Sequence, residues 1–437
     1  MAAVPTPRAA PLVQKLRYLR DPIGYMEQCR RELGDIYMLK LVEPGMVFVG
    51  TPELAREVYT TPEDTLVAGE AKIAVFGKIL GSSSTLLLDG DAHLKRRRLL
   101  LPPFRGELMQ ALAPAMIEAC KRTLATLPLD RDVALHPYLH RIAFDVIARS
   151  LFSTTPAERR RPLEEAMREF AERGVTSRLL MMPRLQLDLG PHSPWGKVVR
   201  AVARARDWLR AEIEQRRAAG PRGQDILALL LAARDEDGTA LRDEEIVDEM
   251  LTMVAAGHET TAMALTWLAY AVFTRPSVLA TLRDEARAGA PIADRPYLQA
   301  VVRESLRFHS VIPNGSGRIA KRGFQLGGYD VPARAMVTIA FDAVHRKLDV
   351  FRDADAFRPE RFVGAKLSPY EWLPFGGGTR RCLGMPSALF ELQLVLAELV
   401  AGYDVRVVQR AVVPTWRGRF LTPSKGLRVR VAARAGT

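Results

Sequence analysis

A cysteine that follows a run of glycines and arginines is the residue best suited to chemistry in this chain. It lies in the segment Phe375–Gly384, FGGGTRRCLG, directly before a helical pattern. A thiol binds a metal as its thiolate, which neighbouring arginines and a helix N-terminus both favour. Arg380 and Arg381 therefore make Cys382 a candidate metal ligand. The alternative is a structural cysteine buried in a glycine-rich turn.

A second candidate segment, Ala256–Thr261 with the sequence AGHETT, interrupts a long helical pattern at Asp243–Phe273. Glycine in a helix interior costs about 1 kcal/mol relative to alanine, and β-branched threonines add a smaller penalty. A local conflict of this kind with the surrounding helix favours a functional explanation. Within the segment, Thr261 is best explained by packing, and His258 by a surface or interhelical position.

Charged residues at helical spacing mark two further segments. Glu304 and Arg307 are three residues apart in a predicted helix, Tyr297–Phe308, and therefore share one face. His93 and Arg97 are one helical turn apart in the sequence GDAHLKRR. In each case the alternative is a solvated surface position, where an ion pair contributes roughly 0.5 kcal/mol.

The elements that must position these residues are mostly helical. The hydrophobic pattern predicts a mainly α protein with a small β subdomain, folded as one large domain over residues 1–437. An extended N-terminal segment, residues 1–20, is expected before β-rich parts at about 36–50 and 324–340. The cysteine loop occupies 375–384. Further helices are predicted at Pro52–Tyr59, Ala92–Leu101, Leu108–Leu127, Leu135–Phe152, Pro162–Glu172, Trp195–Ala219, Gln224–Arg234 and Ser387–Ala401.

Composition narrows the class of protein. The chain has 437 residues, of which 48% are hydrophobic and 26% charged, and this is typical of a globular protein with a buried core. Lys and Arg (63) exceed Asp and Glu (50) by 13, which favours acidic partners. No nucleic-acid-binding module accompanies the charge, so nucleic acid is not an expected partner. The three cysteines form no Cys-x-x-Cys pair, which does not favour a disulfide framework or a zinc site. No signal peptide or membrane span is expected either, so we predict a cytoplasmic protein.

Taken together, these motifs resemble those of the cytochrome P450 superfamily. The family's haem-ligand signature, FxxGxxxCxG, is matched at Phe375, Gly378, Cys382 and Gly384. The resemblance implies that haem b lies between the long central helix and the cysteine loop with the last helix, and that Cys382 is the ligand of its iron. More weakly, AGHETT, FGGGTRRCLG and DLGPHSPWG resemble segments of soluble bacterial members that oxidise fatty acids, alkanes and terpenoids.

The resemblance also implies roles for the other candidate residues. Ala256 and Gly257 would leave room for O2 beside the haem, and Glu259 with Thr260 would deliver protons for O2 activation. The family's ExxR pair and its Pro-Glu-Arg-Phe segment imply a structural charge network of Glu304, Arg307 and Arg361. The haem propionates would be bound by His93, Arg97, Arg318 and Arg380.

The implied function is oxygen insertion into a C–H or C=C bond of a lipophilic small molecule. Electrons from NAD(P)H would arrive through a separate acidic ferredoxin and its reductase, with Lys95, Arg96 and Arg98 as part of a basic docking surface. Fatty acids or terpenoids are the first expectation for the substrate, followed by steroids or polyketide-like molecules. The pocket is predicted to include Met253, Val311, Ile312, Pro313 and Leu421. A monomer is expected, and the alternatives are an H2O2-using peroxygenase of the same fold or a non-catalytic haem sensor or carrier.

Overall fold

The computed structural model describes residues 2–104, 106–220, 223–417 and 420–434. This part of the chain is mainly helical with small sheets, which confirms the predicted fold class. The helices are α1 (Pro11–Arg20), α2 (Pro22–Leu33), α3 (Pro52–Thr60), α4 (Glu70–Leu80), α5 (Gly90–Leu100), α6 (Gly106–Leu124), α7 (His136–Phe152), α8 (Ala157–Phe170), α9 (Pro194–Ala219), α10 (Ile226–Ala232), α11 (Asp243–Phe273), α12 (Pro276–Arg287), α13 (Pro296–Phe308), α14 (Phe341–His345) and α15 (Met385–Gly402). The strands are β1 (Ala2–Ala3), β2 (Ile36–Leu39), β3 (Met46–Val49), β4 (Leu66–Val67), β5 (Asp132–Ala134), β6 (Arg318–Ala320), β7 (Phe324–Leu326), β8 (Tyr329–Val331), β9 (Met336–Ile339), β10 (Tyr403–Val407), β11 (Pro414–Arg417), β12 (Phe420–Pro423) and β13 (Arg428–Ala433).

Short strands from distant parts of the chain form the sheets. One sheet has the strand order β2-β3-β9-β6-β4 and joins the two predicted β-rich parts, because β3 and β9 pair in parallel. Two others have the orders β1-β8-β7 and β10-β13-β5. Strands β11 and β12 pair antiparallel, with Trp416 opposite Leu421 and Arg417 opposite Phe420.

Helix α11 runs through the interior and has the bounds that the sequence predicts. Its first turn carries acidic side chains at the positive end of the helix dipole, and the Arg242 N–H donates to the Glu245 carboxylate at 2.8 Å. After this turn the helix is apolar on nearly every side, which is typical of a buried helix. It packs against α7, α9, α13 and α15, so it positions the AGHETT segment in the interior.

The N-terminal segment differs from its prediction. The sequence predicts extended chain over residues 1–20, but Pro11–Arg20 forms helix α1. Proline is compatible with the first helical position, and Leu12, Leu16 and Leu19 recur at helical spacing. Only the part before α1 is extended, where β1 pairs with β8; residue 1 lies outside the described residues.

Besides α1, four helices, α2, α4, α12 and α14, are absent from the prediction. Two of them begin with a proline at the first position, Pro22 in α2 and Pro276 in α12. The Asp21 carboxylate also accepts the Gly24 N–H at 2.9 Å, as a helix N-cap does. Start signals were therefore present for two of the helices that were not predicted.

Helix α15 begins directly after the cysteine loop and fixes that loop against the interior. Gly384 is its N-cap, and the helix packs against α6, α11 and α13. Among the helices described, α15 alone is long and apolar enough to cross a membrane by length and composition. Its packing between other helices is that of a core helix.

Candidate active site

The cysteine loop turns sharply before α15. The Cys382 N–H donates to the Phe375 carbonyl oxygen at 2.9 Å and closes the loop. Gly376 and Gly378 have φ values of 67° and 63°, a left-handed conformation that residues with side chains rarely adopt. A Cβ added to Gly384 would lie 4.0 Å from the Cys382 Sγ, so a side chain at this position would contact the sulfur.

Tyr59 at the end of α3 lies against this loop. A Cβ on Gly378 would approach the Tyr59 carbonyl oxygen to 3.1 Å, and one on Gly377 would approach the Tyr59 ring to 2.8 Å. The Arg318 guanidinium lies 5.3 Å from the centre of the same ring. The glycines therefore allow α3 to pack closely against the loop that carries Cys382.

Gly378→Ala is expected to destabilise the protein more than Gly364→Ala does. Both glycines have left-handed backbones, with φ of 63° and 68°, so each substitution costs about 1–2 kcal/mol through the backbone alone. Only at Gly378 would the new Cβ also press on Tyr59, because nothing lies within 4 Å at Gly364. Urea unfolding of both variants measures the difference, and equal losses would contradict a restrictive contact with Tyr59.

The Cys382 thiol is surrounded by protein on most sides but still reaches solvent. Burial raises its pKa, and the N–H groups of Gly384 and Met385 with the charges of Arg97 and Arg381 act in the opposite direction. Those N–H groups belong to the N-terminus of α15. The helix end and the nearby arginines therefore stabilise the thiolate, which is the form that binds iron.

The four basic residues assigned to the propionates lie near one another and near the loop. The pKa of His93 is lowered to about 3 by burial and then by the charges of Arg380 and Arg97, so the imidazole is neutral at pH 7. Burial also lowers the pKa of Arg97 and of Arg318, and the charge of Arg380 lowers both further. A cluster of like charges of this kind is stabilised by an anion.

The polar atoms of this cluster fit an anionic group. His93 Nδ1, Arg318 Nη2 and Arg380 Nε are buried without a hydrogen-bond partner, and each such atom costs roughly 1–3 kcal/mol. The only carboxylates paired with Arg380 among the described residues are Asp89 at 2.6 Å and Glu63 at 3.6 Å. Two propionates would satisfy the remaining donors through charge-assisted bonds. The residues present therefore fit haem.

Ala256, Gly257 and Thr260 form a solvent-accessible stripe on the otherwise buried helix α11. Ala256 is exposed and the other two are partly exposed, whereas the neighbouring Ala255 is buried. Their spacing places them on one side of the helix. The Thr260 hydroxyl donates to the Ala256 carbonyl oxygen at 2.6 Å. The side chains of the stripe are small, and Thr260 adds one hydroxyl group, so the stripe can border a cofactor as the predicted roles require.

Glu259 lies off this stripe and is buried. The Nε2 of His140, on α7, lies 2.7 Å from one carboxylate oxygen, and the Arg417 Nε donates to the other at 2.5 Å. Burial raises the pKa of Glu259, but these partners outweigh burial and bring it to about 2. His258 is interhelical, as expected, with its ring centre 4.0 Å from that of His140. The predicted proton delivery by Glu259 thus requires its side chain to turn toward Thr260.

Glu304, Arg307 and Arg361 meet in a buried charge network. Arg307 donates to both Glu304 carboxylate oxygens, at 2.7 and 2.8 Å, and Arg361 donates to one of them at 3.3 Å. Arg307 also donates to the His345 carbonyl oxygen at 2.8 Å, and the Arg358 N–H donates to Glu304 at 2.8 Å. The network therefore joins α13 to the segment that leads into the cysteine loop.

The predicted pocket residues are partly brought together. Met253 belongs to a buried apolar cluster against which Val311, Ile312 and Leu383, the neighbour of Cys382, also pack. The Leu421 N–H donates to the Val311 carbonyl oxygen at 2.8 Å, so β12 is fixed beside that segment. Pro313 is buried, but it is not part of this cluster. Phe420, which was also predicted to line the pocket beside Leu421, belongs to the cluster as well.

Of the three bases predicted for a docking surface on α5, two are exposed. Lys95 and Arg98 are 55% and 56% exposed. Arg96 is buried, where it pairs with Glu245 at 2.7 Å and Glu249 at 2.9 Å. The prediction is wrong for Arg96, because the helical turn directs its side chain to α11 rather than to solvent.

Several residues of the site were not predicted from the sequence. Asp89 accepts the N–H groups of Gly69 and Glu70 and pairs with Arg380. Its position directly before α5, where an acidic N-cap is common, was an available signal. No signal in the sequence pointed to His140 or Arg417, because their contacts with Glu259 join residues more than a hundred positions apart.

Comparisons with known proteins agree with this site. The family model described as Cytochrome P450 matches residues 4–431. Cytochrome P450 135B1 of Mycobacterium tuberculosis is 33% identical over 440 residues, which cover 99% of this chain and 92% of that protein. Cytochrome P450 137 of the same species is 34% identical over 424 residues, covering 94% and 86%.

Solved structures show the same fold. The retinoic acid-bound cyanobacterial CYP120A1 superposes with a TM-score of 0.85 at 24% identity, over 99% of this chain and 100% of that one. The heme domain of cytochrome P450DA superposes with a TM-score of 0.85 at 23% identity, over 99% and 98%. The chain therefore belongs to the cytochrome P450 family and is a haem-dependent monooxygenase.

Proposed function

We propose that this enzyme uses O2 and externally supplied electrons to insert one oxygen atom into a C–H or C=C bond of a lipophilic small molecule. The observation that carries the proposal is the accessible stripe on α11, with the Thr260 hydroxyl on it and the Glu259 carboxylate beside it. When bound, a haem b with Cys382 as thiolate ligand supplies the iron at which O2 is activated, and the thiolate favours O–O cleavage.

Residues of this chain would bind the haem, leave room for O2 and transfer protons. Cys382 binds the iron, and the cluster of His93, Arg97, Arg318 and Arg380 binds and orients the propionates. The small residues of the stripe leave room for O2. The Thr260 hydroxyl both donates and accepts hydrogen bonds, so it can pass on a proton that it receives from water or from Glu259.

Thr260→Ala is expected to uncouple electron use from oxygen insertion. The variant loses the hydroxyl that donates to the Ala256 carbonyl oxygen at 2.6 Å, but it keeps the thiolate ligand. NAD(P)H consumption should continue, while hydrogen peroxide replaces most of the product. A surrogate ferredoxin system with peroxide detection measures the ratio, and buried Thr261→Ala is the matched control. Unchanged coupling in Thr260→Ala would contradict its role in proton delivery.

For the substrate, we propose a fatty acid or a terpenoid before a steroid or a polyketide-like molecule. The apolar cluster of Met253, Val311, Ile312 and Phe420 supports a lipophilic ligand, since such pockets are largely apolar with few polar anchors. The solved structure of CYP120A1 holds retinoic acid, an isoprenoid acid, within the same fold. A screen of such compounds for a low-to-high spin shift of the haem tests the order.

For the electron donor, we propose an acidic ferredoxin with its reductase. The excess of 13 basic residues supports an acidic partner. Lys95 and Arg98 on α5 are exposed but pair with Asp237 and Glu236, so a partner that binds there would replace these two carboxylates. Product formation with a surrogate ferredoxin system distinguishes the monooxygenase from two alternatives. Turnover with H2O2 alone would favour a peroxygenase, and ligand binding without turnover would favour a sensor or carrier.

A further inference from the structure

A buried cluster of titratable side chains lies on α11 beside the accessible stripe. Its centre is Glu259, which is 2% exposed and has both carboxylate oxygens in hydrogen bonds. His140 of α7 occupies one oxygen at 2.7 Å and Arg417 of β11 occupies the other at 2.5 Å. Glu259 is therefore held away from its neighbour Thr260 by groups from two separate elements.

Both partners of Glu259, His140 and Arg417, also reach solvent. About a tenth of the His140 side chain and 40% of the Arg417 side chain are exposed. Of the two, only an imidazole can take up a proton at one ring nitrogen and release one from the other, because a guanidinium does not deprotonate in proteins. Protons from water can therefore reach Glu259 through His140.

The other groups around the cluster are not suited to this transfer. The His258 Nε2–H donates to the His140 carbonyl oxygen at 3.1 Å, and burial lowers the pKa of His258 to about 3. His136 lies one turn before His140 and bonds the Thr266 hydroxyl at 2.9 Å, and burial lowers its pKa to about 4. Both imidazoles are neutral at pH 7. Arg168 of α8 also acts on His258, and its charge lowers the pKa of that imidazole further.

The same side chains could be considered as ligands for a cation. His140, His258 and Glu259 each offer a ligand atom, and these atoms lie within 4.8 Å of one another. The second oxygen of Glu259, however, already accepts the guanidinium of Arg417, and that positive charge repels a metal ion. The arrangement therefore favours proton transfer over metal binding.

We propose that His140 is a positioning residue that passes protons from solvent to Glu259, while Arg417 holds the carboxylate turned away from Thr260 between transfers. The proton would enter the imidazole at one nitrogen and leave from Nε2 to Glu259 Oε2. Protonation removes the negative charge that binds Arg417, so the neutral Glu259 can turn, deliver the proton on the Thr260 side and return as a carboxylate. This inference rests on the proposed use of O2 and external electrons.

His140→Gln tests the proposal, because glutamine can still donate a hydrogen bond to Glu259 but cannot relay a proton. His136→Gln is the matched control, since it lies on the same helix, four residues earlier, and has no hydrogen bond to Glu259. A positioned proton-transfer group contributes about 10²–10⁴-fold. We therefore expect His140→Gln to slow the proton-dependent step at least about tenfold, to enlarge the solvent isotope effect of that step and to release peroxide instead of product. His136→Gln should leave the rate, the isotope effect and the yield of peroxide unchanged.

A second variant and a spectroscopic measurement separate transfer from simple support. Arg417→Gln removes a charge that lowers the pKa of Glu259, so the rate–pH profile should shift to higher pH. The reduced, CO-bound spectrum of His140→Gln should keep the thiolate-type Soret band, so that a slower proton-dependent step reflects proton transfer and not loss of the haem site. A His140→Gln variant that keeps the wild-type rate and solvent isotope effect would overturn the proposal.

The outcomes distinguish this inference from the proposed function. If the wild-type protein lacks a thiolate-type spectrum or does not use external electrons, the proposed function fails with it. If the wild type turns over and Thr260→Ala uncouples it, but His140→Gln matches His136→Gln, only the role of His140 is overturned.

Discussion

Cys382→Ser is expected to abolish oxygen insertion and to remove the thiolate-type Soret band of the reduced, CO-bound protein. Residues that only support a metal ligand change affinity or activity by about 10–100-fold, so replacing the ligand itself should cost more than about 100-fold in turnover. The N-terminus of α15 and Arg97 stabilise a thiolate at this position. A serine hydroxyl does not ionise in the same field at neutral pH. Spectra of the reduced CO complex and product formation with a surrogate ferredoxin system measure both effects.

The matched control for this substitution is Cys29→Ser. Cys29 is buried, and burial raises its pKa to about 11, so it stays a thiol at pH 7. The variant should keep the thiolate-type band even if it loses some stability. A wild-type protein with an imidazole-type band, or a Cys382→Ser variant that keeps the thiolate-type band, would contradict Cys382 as the ligand.

Arg307→Ala is expected to lower the free energy of unfolding by about 3–5 kcal/mol, because breaking a buried ion pair leaves an uncompensated charge in the interior. Glu304 and Arg307 have side chains that are 0% and 1% exposed. The variant would leave Glu304 with Arg361 at 3.3 Å as its remaining charged partner. The carbonyl oxygen of His345 would also lose its donor. Denaturant unfolding and the yield of haem-loaded protein measure the loss.

An exposed pair with the same spacing supplies the control. Arg287 and Asp284 are also three residues apart, but their side chains are 66% and 68% exposed. Surface pairs contribute about 0–1 kcal/mol, so Arg287→Ala should change little. If the two alanine variants were equally stable, the network of Glu304, Arg307 and Arg361 would not be a major support of the fold.

The sequence predicted the interior elements of the fold better than the peripheral ones. Helix α11 was predicted residue for residue, because a long apolar pattern with acidic residues at its start allows few other interpretations. Helix α1 was missed because prolines and bases before it obscured the spacing of its leucines. Strand β13 pairs with β5, which lies far away in the chain, so local patterns did not indicate that sheet.

The candidate site was predictable where a motif fixes the chemistry. Cys382 and its glycines follow from the spacing of one segment, and Glu304 with Arg307 from one helix face. The side on which a residue lies was harder to predict. Glu259 and Thr260 are neighbours in sequence, but Thr260 lies on the accessible stripe and Glu259 faces α7 and β11. That division depends on contacts such as the one with Arg417, which no local pattern encodes.

The hairpin of β11 and β12 contacts both the buried Glu259 and the apolar cluster of Met253 and Phe420. Arg417, on one strand, binds the carboxylate of Glu259, and the opposite residue, Phe420, belongs to the apolar cluster beside Val311. Paired strands move together, so a bulky ligand that displaces β12 also displaces the guanidinium on β11. A ligand that presses on one strand of the hairpin therefore also affects the contact made by the other strand, and enlarging the ligand should alter how firmly Arg417 holds Glu259.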